Sequence, residues 1–186
     1  MKEARLSPLK PLADVIVDRR MKANRSKEIR RLIGDILQMI LIFSIAMLVF
    51  LKLFDLEIVN GNGMYPRLAD GDMVLAFQRA DYQRNDVVFY QNEGISYCGR
   101  VIAKAGDSVL ITEDGIVMVN GTPQTDVFGF KTYSNNLFCE ETTVPNDSYF
   151  ILGDYRTQTM DSRNFGCIEK KDIKSKVIMF MRHRGI

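Results

Sequence analysis

From Ile36 to Leu51 the chain runs sixteen residues without a charge, nearly all of them apolar. Admitting Asp35 and Lys52 near the ends stretches this to residues 32–54, and a helix needs roughly 17–25 mostly apolar residues to cross a bilayer core. A buried core helix and a cleaved secretory signal are the competing readings. Ser44-Ile45-Ala46 loosely mimics a small-x-small cleavage site, but the apolar stretch continues past it through Met47-Leu48-Val49-Phe50-Leu51. About thirty-five residues also precede the run, where a signal peptide has a short leader. Residues 32–54 are therefore read as an uncleaved transmembrane anchor.

Charge orients that anchor. Residues 1–31 carry ten Lys and Arg against four Asp and Glu, a net of +6, so with a total of +2 the rest of the chain is at −4. The positive-inside rule puts a basic tail, 1–31, in the cytoplasm and residues 55–186 outside the cell membrane, as a single-pass protein. Basic residues beside an apolar span suit anionic membrane lipid and topology, and nothing beyond the tail points to nucleic acid. Pro8, Pro11 and the lack of a sustained apolar period before Ile29 give the expectation of a mobile tail with at most a short helix leading into the membrane.

After Asp55 the pattern changes to short apolar runs broken by Gly, Asn and Asp, which read as strands. Residues 73–77, 86–90, 108–112, 115–119, 149–152 and 176–180 are the candidates. Asp114-Gly115 and Asn120-Gly121 read as tight turns. The fold class expected is mainly β, an antiparallel β domain of about 130 residues behind one helix. Residues 122–143, rich in Thr, Asn, Phe and Gly, read as a long irregular excursion in which Phe128, Phe130, Tyr133 and Phe138 supply satellite packing. The three cysteines, Cys98, Cys139 and Cys167, all lie on the outer side without a C-x-x-C spacing, and the one histidine is His183. No metal site or cofactor is expected. One disulfide with a free thiol and three reduced cysteines both fit an odd count.

Four segments then carry a family resemblance. Gly61 to Leu68, GNGMYPRL, resembles the G-x-S-M-Y-P-T-L box of bacterial type I signal peptidases, peptidase S26, with Gly63 at the serine nucleophile's position. Tyr97 to Asp107, YCGRVIAKAGD, resembles the family's Y-x-K-R-V-I-G-x-P-G-D box, with Gly99 where the lysine base stands. Val144 to Phe165 resembles V-P-x-x-x-Y-F-V-L-G-D-N-R-x-x-S-x-D-S-R-x-W nearly end to end, with Tyr155 for Asn and Thr159 for the serine that partners the lysine. Residues 85–89, NDVVF, fall between them in family order, and the MYP box with a single anchor looks like the small Gram-positive type.

The resemblance implies a signal-peptidase-like fold in which Met64, Pro66, Arg100, Gly153, Asp154, Thr159, Asp161 and Arg163 are supporting residues. Asp and Arg in the last box are expected to pair with each other and with backbone groups, holding the sheet around the site. It also implies that no catalytic pair is intact, because a lysine must be neutralised by burial to activate the serine and glycine does neither job. Lys104, five residues past Gly99, is expected on the opposite strand face, and His183 reads as a solvated tail residue. Family members bind a signal peptide as an added strand, which needs only backbone groups. Glycines at 63 and 99 are expected to relieve crowding along that groove. The function implied is an inactive, membrane-anchored homologue that binds exported precursors or surface-assembly partners such as pilin or sortase machinery, as dyad-lacking relatives do in pilus assembly. The alternative is an active signal peptidase with non-standard groups, Lys104 and a water among them.

Overall fold

The structure, a computed structural model, describes residues 12–78, 81–124, 128–134, 138–157 and 159–182. His183 and the first eleven residues, Pro8 and Pro11 included, lie outside the described residues. The chain divides into two compact units, Met1–Phe50 and Leu51–Ile186.

The first unit is helical. Helix α1 spans Leu12–Leu53, 42 residues, or about 63 Å at 1.5 Å per residue. Within it Arg19–Leu53 is long and apolar enough to cross a membrane, and none of its apolar window is buried by protein. Phe43 is 72% exposed and Leu37 61%. The tail thus differs from expectation: the helix starts at Leu12, seventeen residues before Ile29. Between Leu12 and Ile33 there is no Gly or Pro, and Arg, Lys, Met, Ala and Glu have high helix propensity, so the polar segment extends the apolar helix without a break.

The second unit is mainly antiparallel β. Its strands are β1 (Phe54–Ile58), β2 (Met73–Phe77), β3 (Val87–Asn92), β4 (Ile95–Lys104), β5 (Ser108–Ile111), β6 (Val117–Val119), β7 (Thr122–Pro123), β8 (Thr142–Thr143), β9 (Ser148–Leu152), β10 (Ile168–Glu169) and β11 (Ile173–Met181). Seven of them form one sheet in the order β1-β2-β11-β3-β4-β9-β10, and four form a smaller sheet, β7-β6-β5-β8. Phe54, expected at the end of the anchor, is already strand, paired with Phe77. Every strand expected from sequence is present, shifted by no more than three residues at an end.

Position in the sheet explains composition. In β2 only alternate residues, Val74 and Ala76, are buried, whereas Val87 to Tyr90 of β3 and all of β9 are buried, as befits strands covered on both faces. The hairpin between β3 and β4 turns on Glu93-Gly94 (φ 49° and 82°), and that between β6 and β7 on Asn120-Gly121 (φ 52° and 71°). Both put two successive residues at positive φ, as a type I′ turn requires. The apolar interior has three clusters. One, between the sheets, holds Phe138, Phe150, Val109 and Val119. A second gathers Tyr82, Val88, Tyr90, Val101, Ile151 and Ile173. The third packs Val59, Met64, Leu68, Val74 and Phe89. Phe138 stacks edge-on to Phe150 at 4.6 Å between ring centres, so part of the 122–143 excursion is core.

Candidate functional site

The loop between β1 and β2 carries the first box. It is pinched at its base, where Val59 N donates to Asp72 O and Gly71 N to Val59 O, both at 2.9 Å. The side chains of Met64 and Leu68 are buried in the third cluster, and Leu68 N donates to Met64 O, so one turn of chain is anchored at two apolar points. Pro66 is held from outside, since Arg182 Nη2 donates to the carbonyls of Pro66 and Arg67 at 3.2 and 3.0 Å. Gly63 O accepts from Tyr155 N at 2.9 Å. That bond ties the loop at Gly63 to the turn after β9, which carries the last box.

The last box is a compact network of buried charge. Asp161 caps the short helix α2 (Ser162–Phe165), accepting from Arg163 N. Its carboxylate also takes a two-pronged bond from the Arg163 guanidinium, 2.8 Å on each side, and accepts from Gly153 N at 3.1 Å. Arg163 Nη1 donates to Arg156 O, and Arg156 donates to Gly153 O and to Thr132 Oγ1. Thr159 Oγ1 donates to Asp161 Oδ2 at 2.9 Å and accepts from Arg163 Nη2 at 2.9 Å. A second forked pair joins this turn to β4: Arg100 Nε and Nη2 donate to the two Asp154 oxygens at 2.7 and 2.5 Å, and Arg100 Nη1 donates to Asn85 O. Buried charges are tolerated when hydrogen-bonded on this scale, and the guanidinium–carboxylate fork fixes orientation as well as charge.

Gly99 lies in β4, opposite Val88 of β3, and is buried. A Cβ there would sit 2.6 Å from Ile151 Cγ2, 3.2 Å from Tyr90 Cε1 and 3.3 Å from Leu152 O. Position 99 therefore faces the second apolar cluster and does not relieve crowding in a groove. Sequence reading missed Tyr90, which belongs to no box, and Ile151, which fills an apolar position of the last box, because both read as ordinary strand residues. Burial, and after it the Asp161 carboxylate, pushes the Tyr90 hydroxyl well above the usual phenol range.

Gly63 by contrast borders an open cleft of about 220 Å³, whose wall includes Asn60, Ser96, Cys98, Thr159 and Met160. None of the residues lining it is Asp, Glu, Lys, Arg or His. Burial first, and then the Asp154 carboxylate, raises the Cys98 thiol to about 12, so it is protonated at neutral pH. Lys104 is exposed at the far end of β4, its amide bonded to Asp107 Oδ2 at 2.8 Å, and it is not part of the cleft wall. The cleft offers amide and hydroxyl groups, apolar surface and one strand edge. That edge belongs to β4: Ile95 to Gly99 pair with β3 on one side, whereas β9 joins the other side only from Arg100 onward. Cys98, Cys139 and Cys167 are free thiols. Among the described residues no three His, Cys, Asp or Glu come together as a metal site.

Residues 29–181 match the family model described as signal peptidase, peptidase S26. The chain is 31% identical over 153 residues to signal peptidase I T of Bacillus subtilis (strain 168), covering 73% of this chain and 79% of that protein. It is 30% identical over 161 residues to a signal peptidase I of Bacillus amyloliquefaciens, covering 77% and 83%. A crystal structure of a signal peptidase I from Enterococcus faecalis V583 aligns with 54% of this chain and 98% of its own, at a TM-score of 0.43 and 24% identity. By the extent of the family match, this chain is a member of the peptidase S26 signal peptidase family.

Proposed function

We propose that this chain is a membrane-anchored signal peptidase homologue that holds an extended segment of an exported precursor without cutting it. Residues 1–31 lie on the cytoplasmic side, residues 32–53 span the membrane and residues 54–186, which begin with β1, work outside. The carrying observation is the juxtaposition of an unpaired β4 edge, Ile95 to Gly99, with a cleft lined by no charged residue and bordered by glycine at position 63. A peptide added to that edge gains main-chain hydrogen bonds that need no side chain from positions 63 or 99. Hydrolysis needs both. Loss of the nucleophile or base of a serine peptidase costs on the order of 10⁶ in rate, about 8 kcal/mol of transition-state stabilisation. The cleft supplies no replacement base, and Lys104 lies outside it.

The client class is a precursor with a signal peptide, the substrate class of the family. By analogy with dyad-lacking relatives, the partner is a pilin precursor or sortase-linked assembly at the cell surface. The test incubates the detergent-solubilised full-length protein with a precursor carrying an Ala-x-Ala site, and follows co-purification and precursor mass together. Co-purification of intact precursor is expected. Cleavage at the Ala-x-Ala site contradicts the proposal.

A further inference from the structure

The places of the missing side chains are occupied. A Cβ at position 63 would lie 2.9 Å from the Thr159 methyl, closer than such atoms approach, and the same methyl lies against the place of a Cβ at Gly153. This methyl does not swing aside freely, because Thr159 Oγ1 accepts from Arg163 Nη2 at 2.9 Å and gives its one hydrogen to Asp161 Oδ2 at 2.9 Å, with Tyr155 O at 3.2 Å as the alternative acceptor. One donated and one accepted bond fix χ1 and with it the methyl's direction. At position 99 the obstacle is larger, consisting of the Ile151 γ-methyl, the Tyr90 ring edge and the Leu152 carbonyl. Ile151 is fully buried, its amide donating to Ser162 Oγ at 2.9 Å. Tyr90 is wedged by Tyr97, stacked on it with 5.6 Å between ring centres. Packing at interior density leaves nowhere for these groups to go.

We infer that Thr159 and Ile151, the latter backed by Tyr90, are the residues that fix this site in its non-hydrolytic form, by filling the two volumes that side chains at 63 and 99 must enter. The inference rests on reading those positions as the vacated nucleophile and base. It makes the two glycines obligatory to the present packing. It also makes the sides unequal: one methyl blocks position 63, whereas a methyl, a ring and a carbonyl block position 99. A serine at 63 becomes compatible with the site once Thr159 is Ser, which keeps the hydroxyl and its bonds but lacks the methyl. Lysine at 99 has no single enabling change.

Two thermal-unfolding cycles on the full-length protein test this. Gly63→Ala is measured with Thr159 and with Thr159→Ser, and Gly99→Ala with Ile151 and with Ile151→Ala. Overpacking predicts that each glycine replacement alone lowers Tm by about 4 °C or more, and that at least half of this loss disappears in the second background. Equal losses in both backgrounds overturn the inference, as does no loss in either, and so does a Gly63→Ala variant that stays unfolded with Thr159→Ser in place. Precursor binding by the unaltered protein is read separately. Coupled losses without precursor binding leave the packing inference standing and remove the capture reading, whereas binding with uncoupled losses does the reverse.

Discussion

Removing the Asp154 carboxylate isolates what holds the last box against β4. In the Arg100–Asp154 pair the two side chains are only 10% and 3% exposed, and Asp154 receives two of the three bonds that Arg100 makes. Asp154→Ala leaves a buried guanidinium with the Asn85 carbonyl as its remaining partner. An uncompensated buried charge of this kind costs about 3–5 kcal/mol, which for a domain of this size is roughly a 10 °C fall in Tm. Replacing both partners by apolar residues of similar bulk, Arg100→Met with Asp154→Leu, removes the stranded charge and is expected to recover more than half of that loss. Circular dichroism at a strand wavelength follows the β unit while the helix stays folded in detergent. The exposed Lys171–Glu169 pair is the internal control, and Glu169→Ala should leave Tm unchanged. The reasoning is refuted if Asp154→Ala melts like Glu169→Ala, or if the double replacement is no more stable than the single one.

Two further outcomes follow from titrating groups. Burial alone raises the Asp107 carboxyl, but hydrogen bonds from Arg84, the Lys104 amide and Asn120 outweigh it and hold the carboxyl at about 2. A carboxyl held below its unfolded value of about 3.9 adds stability that is complete above that pH and is lost as pH falls through 2; with Arg84 partly exposed the contribution is about 1 kcal/mol. The Tm advantage of the unaltered protein over Asp107→Asn should therefore shrink between pH 5 and pH 2, and an advantage constant with pH refutes the assignment. Burial also lifts the thiols of Cys98 and Cys167 to about 12 and 11, whereas Cys139 is exposed. Brief alkylation at pH 7.5 read by mass spectrometry should modify Cys139 first, with the other two slower by about tenfold or more; Cys98 reacting first contradicts the burial account.

Sequence reading reached the strands whose apolar residues alternate or cluster, because burial on one or both faces writes that pattern directly. The apolar runs did not include β4, where Cys98-Gly99-Arg100 break the pattern, or β1, where Asp55 and Glu57 alternate with apolar residues and it is Leu56 and Ile58 that are exposed. The two-residue strands β7, β8 and β10 are too short to alternate at all. The helical reach of the basic segment was missed for a different reason: it carries no apolar period, and its helicity comes from propensity and from continuity with the apolar run. At the site, the boxes located Gly63, Gly99 and the Asp–Arg turn by resemblance. They could not tell that position 63 borders a cleft while position 99 faces the core, because strand parity in β4 has no marker in sequence until its neighbours are known. Tyr90 is the instructive case. An aromatic residue two places past Val88, whose strand partner is Gly99, is a signal for a filled space only once the register of β3 on β4 is in hand.

Strand addition at β4 is tested most directly by amide hydrogen exchange across Ile95 to Gly99, measured in the full-length protein with and without a precursor peptide spanning an Ala-x-Ala site. Capture without hydrolysis predicts slowed exchange in that segment, little change in β5 and β6 of the smaller sheet, and a peptide recovered at its original mass. Unchanged exchange at Ile95 to Gly99 while peptide is bound, or recovery of the two cleavage fragments, contradicts it.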